Sequence, residues 1–229
     1  MSTAAHHHAL RSRSTGPGTP PGPGATPPPI PWTTAMSQQS LIVLPAFAGV
    51  IAKGEYTWEF WMYVAGVNGT AFHNANIAYT RFSAHIPYDG IFYYDSGSQE
   101  GGRLMFGPDG SFYYQWRHIA MTFGGSPVVQ KLYVDGVLKA QKAHASLANG
   151  MYLPSNPDPS EAMCLTGQQG PMGEVRYWDH VRSPAQINAL KDFSVQGPTP
   201  GLVAAWRCNE RGTNVQIVDR SGNNYHGFN

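Results

Sequence analysis

The sequence predicts an all-β antiparallel sandwich with one short helix, and three observations support this fold class. Aromatic residues are plentiful (12 Tyr, 10 Phe and 6 Trp), whereas only 13% of residues are charged. From about Leu41 onward, short apolar runs alternate with turn dipeptides. Aromatic and β-branched side chains suit a pleated, half-buried surface, and many strands at short spacing are typical of a sandwich or barrel.

The first 36 residues differ in composition from the rest of the chain. Eight prolines lie between Pro17 and Pro31, and no acidic residue precedes Glu55. Pro-rich stretches favour extended polyproline conformations and cannot build a core. We therefore predict a disordered-looking Pro/Gly-rich arm over residues 1–36 and one sandwich domain over residues 37–229.

Four dipeptides mark candidate tight turns within that domain: Asn68-Gly69, Asp89-Gly90, Asp109-Gly110 and Asp135-Gly136. They suit type I′ hairpins because both central residues of such turns need positive φ. Apolar runs around these turns predict strands at Leu41–Ala48, Tyr56–Val64, Asn76–Phe82, Gly90–Asp95, Ser111–Tyr114, Arg117–Phe123, Lys131–Val134, Val137–Ala140, Glu161–Thr166, Met172–Trp178 and Leu202–Asn209.

One helix is predicted over Ser183–Phe193. Ser183 suits the N-cap, Pro184 the first helical position, and Gln186 completes a capping box. Ile187, Leu190 and Phe193 recur at helical spacing, which indicates a short helix packed on the rim of the sandwich.

Charge, hydropathy and cysteine content exclude several function classes. The net charge of +1 gives no general attraction to nucleic acid or anionic membranes. No apolar run approaches the ~20 residues of a membrane span, and the N-terminus lacks the apolar region of a secretory signal. Cys164 and Cys208 lie in apolar, strand-like runs, so we favour two buried free thiols over a disulfide.

Four stretches, taken in order, resemble one known superfamily. They are Glu55–Tyr63, Trp116–Gly136 with its Tyr-Val-Asp-Gly end, Gly173–Ile187, and Gly201–Gly227. This order and spacing is similar to the laminin-G-like, concanavalin A-like lectin/glucanase superfamily. The resemblance implies a jelly-roll sandwich over about Leu41 to Asn229. It leaves function open, because the superfamily includes lectins, adhesion modules, polysaccharide hydrolases and virion surface proteins.

Hydrolytic activity is not expected. Retaining glycosidases need two carboxyl groups about 5 Å apart. Hydrolases of the superfamily often carry them as Glu-x-Asp-x-x-Glu on one strand, and this sequence has no such run. Glu55 and Glu59 are the nearest approach to a pair, but Glu59 matches a framework position of non-catalytic relatives. A glycoside hydrolase remains a remote alternative.

Strand alternation predicts a candidate ligand site on the first long strand. Tyr56, Trp58, Phe60 and Met62 share one face and are expected in the core, whereas the other face carries the candidate ligand-binding residues Glu59, Trp61 and Tyr63. These three could form a platform for a sugar. The alternative is that Trp61 packs under a neighbouring loop. A second segment holds His85 and Asp95, which we expect to form a structural pair.

The resemblance also implies a structural calcium site near the end of the chain, with Glu210, Asp219 and Asn223 as candidate ligands. Relatives commonly have Asp where this sequence has Gly173, which weakens the case for calcium. The alternative is that Asp219 and Asn223 shape a turn through local hydrogen bonds. No other cofactor is expected.

We therefore expect a non-enzymatic, decorating surface protein of virion type, located on a virion or extracellular surface without a secretory signal peptide. The arm would dock to a capsid or another shell, in which the protein is oligomeric or repeated, and the outward sandwich would bind cell-surface carbohydrate. The alternative is a free carbohydrate-binding lectin or adhesion module. Neither nucleic acid nor membrane is an expected partner.

Overall fold

The computed structural model describes residues 41–44, 55–64, 69–74, 81–97, 102–107, 110–144, 163–166, 171–195, 197–210, 212 and 214–229, so the predicted arm lies outside the described residues. Fourteen strands and one α-helix are defined here: β1 Leu41–Leu44, β2 Tyr56–Tyr63, β3 Phe72–Asn74, β4 Arg81–Tyr88, β5 Ile91–Gly97, β6 Arg103–Phe106, β7 Trp116–Gly124, β8 Val128–Val134, β9 Val137–His144, β10 Met163–Thr166, β11 Met172–Trp178, α1 Pro184–Leu190, β12 Leu202–Trp206, β13 Gln216–Ile217 and β14 Gly227–Phe228.

These strands form two antiparallel sheets packed face to face. The large sheet has the order β13-β14-β1-β10-β3-β4-β5-β6, and the small sheet has the order β12-β11-β2-β7-β8-β9. Strands distant in sequence become neighbours, as in the pairing of β2 with both β7 and β11. The all-β jelly-roll sandwich predicted from the sequence is therefore confirmed.

Two of the four predicted turns are confirmed. Asp89 and Gly90 have φ of 48° and 77°, and Asp135 and Gly136 have φ of 52° and 77°. Both pairs therefore carry the positive φ that a type I′ hairpin requires. Asn68 and Asp109 lie outside the described residues.

The strand predictions are accurate for most of the long strands, but they miss most of β4 and several short strands. Met172–Trp178 has its predicted bounds, but Ser111–Tyr114 is not a strand. Residues Gly110–Phe112 form a 3-10 turn, and Tyr114, at a φ of 59°, breaks any extended run there. Of the predicted strand Asn76–Phe82, residues 76–80 lie outside the described residues. Strands β3, β6, β13 and β14 were not predicted.

The core between the sheets contains many aromatic rings among its aliphatic side chains. The four inward residues predicted on β2 (Tyr56, Trp58, Phe60 and Met62) are fully buried, which confirms that prediction. The Trp58 ring stacks on Phe72 of the large sheet at 5.1 Å and lies 6.3 Å from Trp206. Trp206 is 1% exposed and donates its indole N–H to Tyr225 O, so it also belongs to the core.

Buried polar groups also join the two sheets. The Tyr94 hydroxyl donates to the Tyr56 hydroxyl at 2.6 Å. Gln130, on β8, donates its amide N–H to Tyr94 O and Gly102 O on the opposite sheet. Hydrogen bonds satisfy these groups where water is excluded, so the contacts hold the large sheet against the small one at this edge.

Helix α1 packs on the outer face of the small sheet. Ser183 and Gln186 form the predicted capping box, with Gln186 N–H donating to Ser183 Oγ and Ser183 N–H to Gln186 Oε1. Ile187 is fully buried against Ala120 and Tyr133 of the sheet. The helix ends at Leu190, three residues before its predicted end. No helix in the described part of the chain has the length and apolarity to span a bilayer.

Cys208 is a buried free thiol, as favoured from the sequence, and burial raises its pKa well above the ordinary value. The side chain of Cys164 lies outside the described part of the structure.

Candidate functional site

Glu59, nominated as a ligand-binding residue, is fully buried on the outer face of the small sheet. Arg182 Nη1 donates to Glu59 Oε1, and Arg176 Nη1 lies 3.5 Å from Oε2. His118 Nε2 lies 3.6 Å from the same oxygen, just beyond hydrogen-bonding distance. Glu59 is therefore a buried counter-ion, and the expectation that it is exposed beside Trp61 is corrected.

Glu59 is buried because the segment that begins with α1 lies over it. Trp61 Nε1 donates to Lys191 O at 2.6 Å, and the Arg176 guanidinium donates to Leu190 O and Phe193 O. These donors satisfy carbonyl groups at the end of the helix, which would otherwise lack partners. Trp61 thus packs under a neighbouring segment, which was the alternative to its role in a platform.

The electrostatics of this buried network favour a charged Glu59 beside a neutral His118. Burial raises the pKa of the Glu59 carboxyl, but His118, Arg182 and Arg176 together outweigh it and hold that pKa below its ordinary value. Burial, with a smaller contribution from the Arg176 and Lys191 charges, lowers the pKa of His118, although Glu59 opposes the shift. We call Glu59, His118, Arg176 and Arg182 the covered network.

Tyr63, the third candidate ligand-binding residue, does not lie under the segment that begins with α1. It is half-buried at the end of β2, directly across from Trp116 on β7. The two rings meet edge to face with centroids 6.2 Å apart. The structure therefore separates Tyr63 from Glu59 and pairs it with an aromatic residue that the sequence did not nominate.

The nominated calcium ligands lie at a turn near the chain end. Asp219 Oδ1 accepts from Ala205 N–H and Ser221 N–H, and Oδ2 accepts from the Ser221 hydroxyl and Tyr225 N–H. Asn223 donates its amide to Leu202 O and Val203 O, and Glu210 Oε1 lies 3.7 Å from Arg220. These contacts match the alternative in which Asp219 and Asn223 shape a turn through local hydrogen bonds. Across the described residues, no group of three or more His, Cys, Asp or Glu side chains could hold a metal ion.

The outer face of the large sheet carries a different cluster. Strand register places His85, Tyr93 and Met105 in one row across β4, β5 and β6, and Ser83, Asp95 and Arg103 in the next row. Tyr88, which is 46% exposed, ends β4 beside the first row, and Met105 is 57% exposed. We call His85, Tyr88, Tyr93, Asp95, Arg103 and Met105 the open-face cluster.

One salt bridge organises this cluster. Arg103 donates from Nε and Nη2 to the two oxygens of Asp95, at 2.6 and 2.8 Å, and this bonding raises the pKa of Arg103. The Arg103 guanidinium also lies 4.6 Å from the centre of the Tyr93 ring. A bidentate pair stacked on a ring fixes the guanidinium in one orientation, while the side chain of Arg103 stays 21% exposed.

The remaining rings extend the cluster along the sheet. His85 lies edge to face with Tyr93 at 6.4 Å and with Tyr88 at 5.7 Å. Its Nδ1 is 3.1 Å from Gly69 O and 3.3 Å from Thr70 Oγ1. His85 and Asp95 were expected to pair, and the register places them in adjacent rows. Arg103 and Met105 went unnoticed because they belong to the short strand β6, which carries no clear alternation.

A family model for the concanavalin A-like lectin/glucanases superfamily matches residues 37–188. The chain belongs to this superfamily. No protein among the curated proteins matches the chain.

Solved structures with a similar fold superpose on it. One is a Bacteroides ovatus ATCC 8483 protein assigned a carbohydrate-binding role (TM-score 0.57, 15% identity, 85% of this chain and 57% of that one). The chain therefore spans little more than half the length of that relative. Another is the CBM40 of the Ruminococcus gnavus IT-sialidase bound to α2,3-sialyllactose (TM-score 0.52, 16% identity, 69% of this chain and 95% of that one). At these identities the likeness shows the fold.

Proposed function

We propose that this superfamily member is a non-enzymatic carbohydrate-binding protein whose ligand lies on the open-face cluster. The observation that carries the proposal is the pair of adjacent rows, His85–Tyr93–Met105 and Ser83–Asp95–Arg103, on the outer face that α1 does not cover. The small sheet offers no such place around Glu59, because the helical segment lies over it.

The chemistry of the cluster suits a sugar. Aromatic side chains contact apolar ring faces, and a few fixed polar groups orient a ligand that carries hydroxyl groups. The buried Asp95 holds Arg103 in one orientation before any ligand arrives, so contact of a ligand with the exposed part of Arg103 costs little side-chain ordering. The carbohydrate-binding role assigned to the Bacteroides ovatus protein and the sialyllactose bound by the Ruminococcus gnavus CBM40 support the same class of ligand.

The non-enzymatic part of the proposal rests on the carboxylates. Glu55 and Glu59 are the pair that the sequence brought closest to a glycosidase arrangement. Glu59 is fully buried among three basic side chains, and Glu55 accepts a hydrogen bond from Gly125 N–H. A carboxylate sealed from solvent cannot reach a glycosidic oxygen, which a general acid must contact.

The test is a glycan array followed by calorimetry on the strongest ligand. The double variant Tyr88→Ala with Met105→Ala removes exposed side chains of the cluster and leaves the Arg103–Asp95 pair intact. Because a stacked ring contributes about 1 kcal/mol beyond its buried area, we expect affinity to fall roughly tenfold or more.

Phe228→Ala is the matched control. Phe228 is 46% exposed, like Tyr88, and lies on the same sheet at β14, away from the cluster. It should leave affinity unchanged. Equal losses in both variants, or glycan turnover by the wild-type protein, would overturn the proposal.

We also propose, from sequence alone, that residues 1–36 attach the sandwich to a larger assembly, of which a virion shell is the example we favour. The support is compositional: a Pro/Gly arm that cannot form a core, followed by a domain with an outward binding face. Deleting residues 1–36 should leave the melting temperature and glycan affinity unchanged and abolish co-purification with the assembly. Full attachment of the truncated protein would contradict this proposal.

A further inference from the structure

We propose that the protein has a second carbohydrate site on the opposite side of the sandwich, built by Tyr63, Tyr113, Tyr114 and Trp116 and suited to a neutral pyranose ring. We call these residues the rim cluster. The ligand class rests on the proposed function, whereas the site itself rests on the geometry below.

The rim cluster begins where the helical cover stops. Trp61 is held under Lys191 O, but Tyr63, two residues further along β2, and Trp116 are both only half-buried. Their rings meet edge to face on the outer face of the small sheet. The open-face cluster lies on the outer face of the large sheet, so ligands on the two clusters would point away from each other.

Tyr114 adds the most exposed ring of the cluster. It is 72% exposed, the highest value among the exposed large hydrophobic side chains of the described residues, and its ring centroid is 6.3 Å from that of Tyr113. Its φ is 59°, a left-handed conformation that a bulky side chain rarely adopts. Tyr114 N–H donates to Val64 O, which holds the turn in this conformation.

Exposure and backbone strain at the same aromatic residue favour a binding role. If folding alone constrained this position, Gly or Asn would be favoured at the positive φ. An aromatic side chain kept only for folding would be buried. Strained residues persist where the surrounding structure holds them, and they concentrate at ligand sites. Tyr113, by contrast, packs against the core and fixes the base of the turn.

The polar groups of the cluster indicate the class of sugar. They are the tyrosine hydroxyls and the exposed amide of Gln115, whose Nε2 is held by Ser111 O. The guanidinium of the neighbouring Arg117 is already bound to Asp135 and to Ser111 O. Neutral donors and acceptors beside flat rings suit a neutral pyranose rather than an acidic one.

The first experiment follows the ¹⁵N-labelled indole N–H signals during titration with the methyl glycosides of glucose, galactose and mannose. A Trp116→Phe variant assigns the Trp116 signal. We expect that signal to shift with at least one glycoside in the wild-type protein and also in the Tyr88→Ala/Met105→Ala variant. We expect the shift to vanish in Tyr114→Gly, which removes the ring and suits the positive φ, so the variant should stay folded.

The outcomes separate this proposal from the previous one. A Trp116 signal that stays fixed with all three glycosides in the wild-type protein would overturn the rim site, whatever the open-face cluster binds. A shift that disappears in the Tyr88→Ala/Met105→Ala variant would also overturn it, because the two clusters would then be one site. A shift retained in that variant supports the rim site even if no glycan binds the open face.

A second experiment tests whether both sites act at once. Albumin carrying many copies of the best-binding sugar should be cross-linked by the wild-type protein and scatter light. With the protein isolated as a monomer, Tyr114→Gly and the Tyr88→Ala/Met105→Ala variant should each lose this scattering, because a monomer with one remaining site cannot bridge two carriers. Undiminished scattering by either variant would contradict two sites on one domain.

Discussion

The outer faces of the two sheets carry the same kinds of side chains, acidic and basic groups beside aromatic rings, but α1 packs on the small sheet alone. On the small sheet, Glu59 lies under the segment that begins with α1, among arginines that are 1% and 3% exposed. On the large sheet, Asp95 is equally buried, but its partner Arg103 keeps 21% of its side chain exposed beside half-buried rings. An ion pair covered by a helix anchors that helix, whereas Arg103 in the second pair keeps part of its side chain in contact with solvent.

The two ion pairs differ because the segment that begins with α1 determines which groups the arginines of the small sheet can contact. Arg176 and Arg182 also donate to carbonyl groups of the helical segment, so the covered network links the segment to the sheet. Arg103 instead stacks on Tyr93 and stays partly in water. Side-chain type alone could not distinguish these two situations.

The largest expected difference between the faces is in stability. Glu59→Gln leaves Arg182 buried without its counter-ion and Arg176 with Glu174 at 3.7 Å, and breaking a buried pair typically costs about 3–5 kcal/mol. Asp95→Asn leaves Arg103, which can turn its guanidinium to solvent, so we expect a loss of about 1–2 kcal/mol. Urea denaturation of both variants measures the difference.

Asp179→Asn serves as the control, because Asp179 pairs with His180 at the surface and is 64% exposed. It should change the unfolding free energy very little. Comparable losses in Glu59→Gln and Asp95→Asn would show that the cover does not distinguish the two ion pairs.

A smaller effect is expected from pH, and it also arises on the covered face. The pKa of His118 is lowered in the folded protein, chiefly by burial, so the unfolded chain takes up this proton first as the pH falls below about 6.5. Stability is therefore full above that pH and decreases below it, and the lowered pKa of Glu59 continues the loss below its ordinary value of 4.5. We expect about 1 kcal/mol less stability at pH 5.5 than at pH 7.5.

His118→Gln isolates this contribution, because His144, whose pKa is also lowered by burial, remains in the variant. Urea midpoints at pH 5.5 and 7.5 should lie closer together in His118→Gln than in the wild-type protein. An unchanged pH dependence would assign the acid loss to other groups.

The sequence was sufficient for the fold because the fold depends on long, strongly patterned strands. The alternation in Tyr56–Tyr63 and the Asp135-Gly136 turn carry their own local signal, and the capping box of Ser183 fixes the start of α1. The 3-10 turn at Gly110–Phe112 was missed because its apolar residues look like a strand until the positive φ of Tyr114 is known.

The candidate site was harder to predict because it depends on pairing between distant strands. Alternation correctly placed Glu59 on the outer face of its sheet, but only the packing of α1, more than a hundred residues later, shows that this face is covered. The open-face cluster needs the register of β4, β5 and β6, which places Met105 and Arg103 beside Tyr93 and Asp95. No short-range pattern contains that information.

The smallest effect that we predict is from calcium at the turn near the chain end. Each oxygen of Asp219 already accepts two hydrogen bonds, which accounts for the acceptor capacity of a carboxylate. A calcium ion bound there would have to displace N–H and O–H donors that fix the turn, and Asn223 presents its N–H groups to backbone carbonyls of its own chain. We therefore expect the melting temperature to be the same in millimolar calcium and in chelator. A rise of several degrees with calcium, lost in Glu210→Gln, would instead establish the structural calcium site that the sequence resemblance implied.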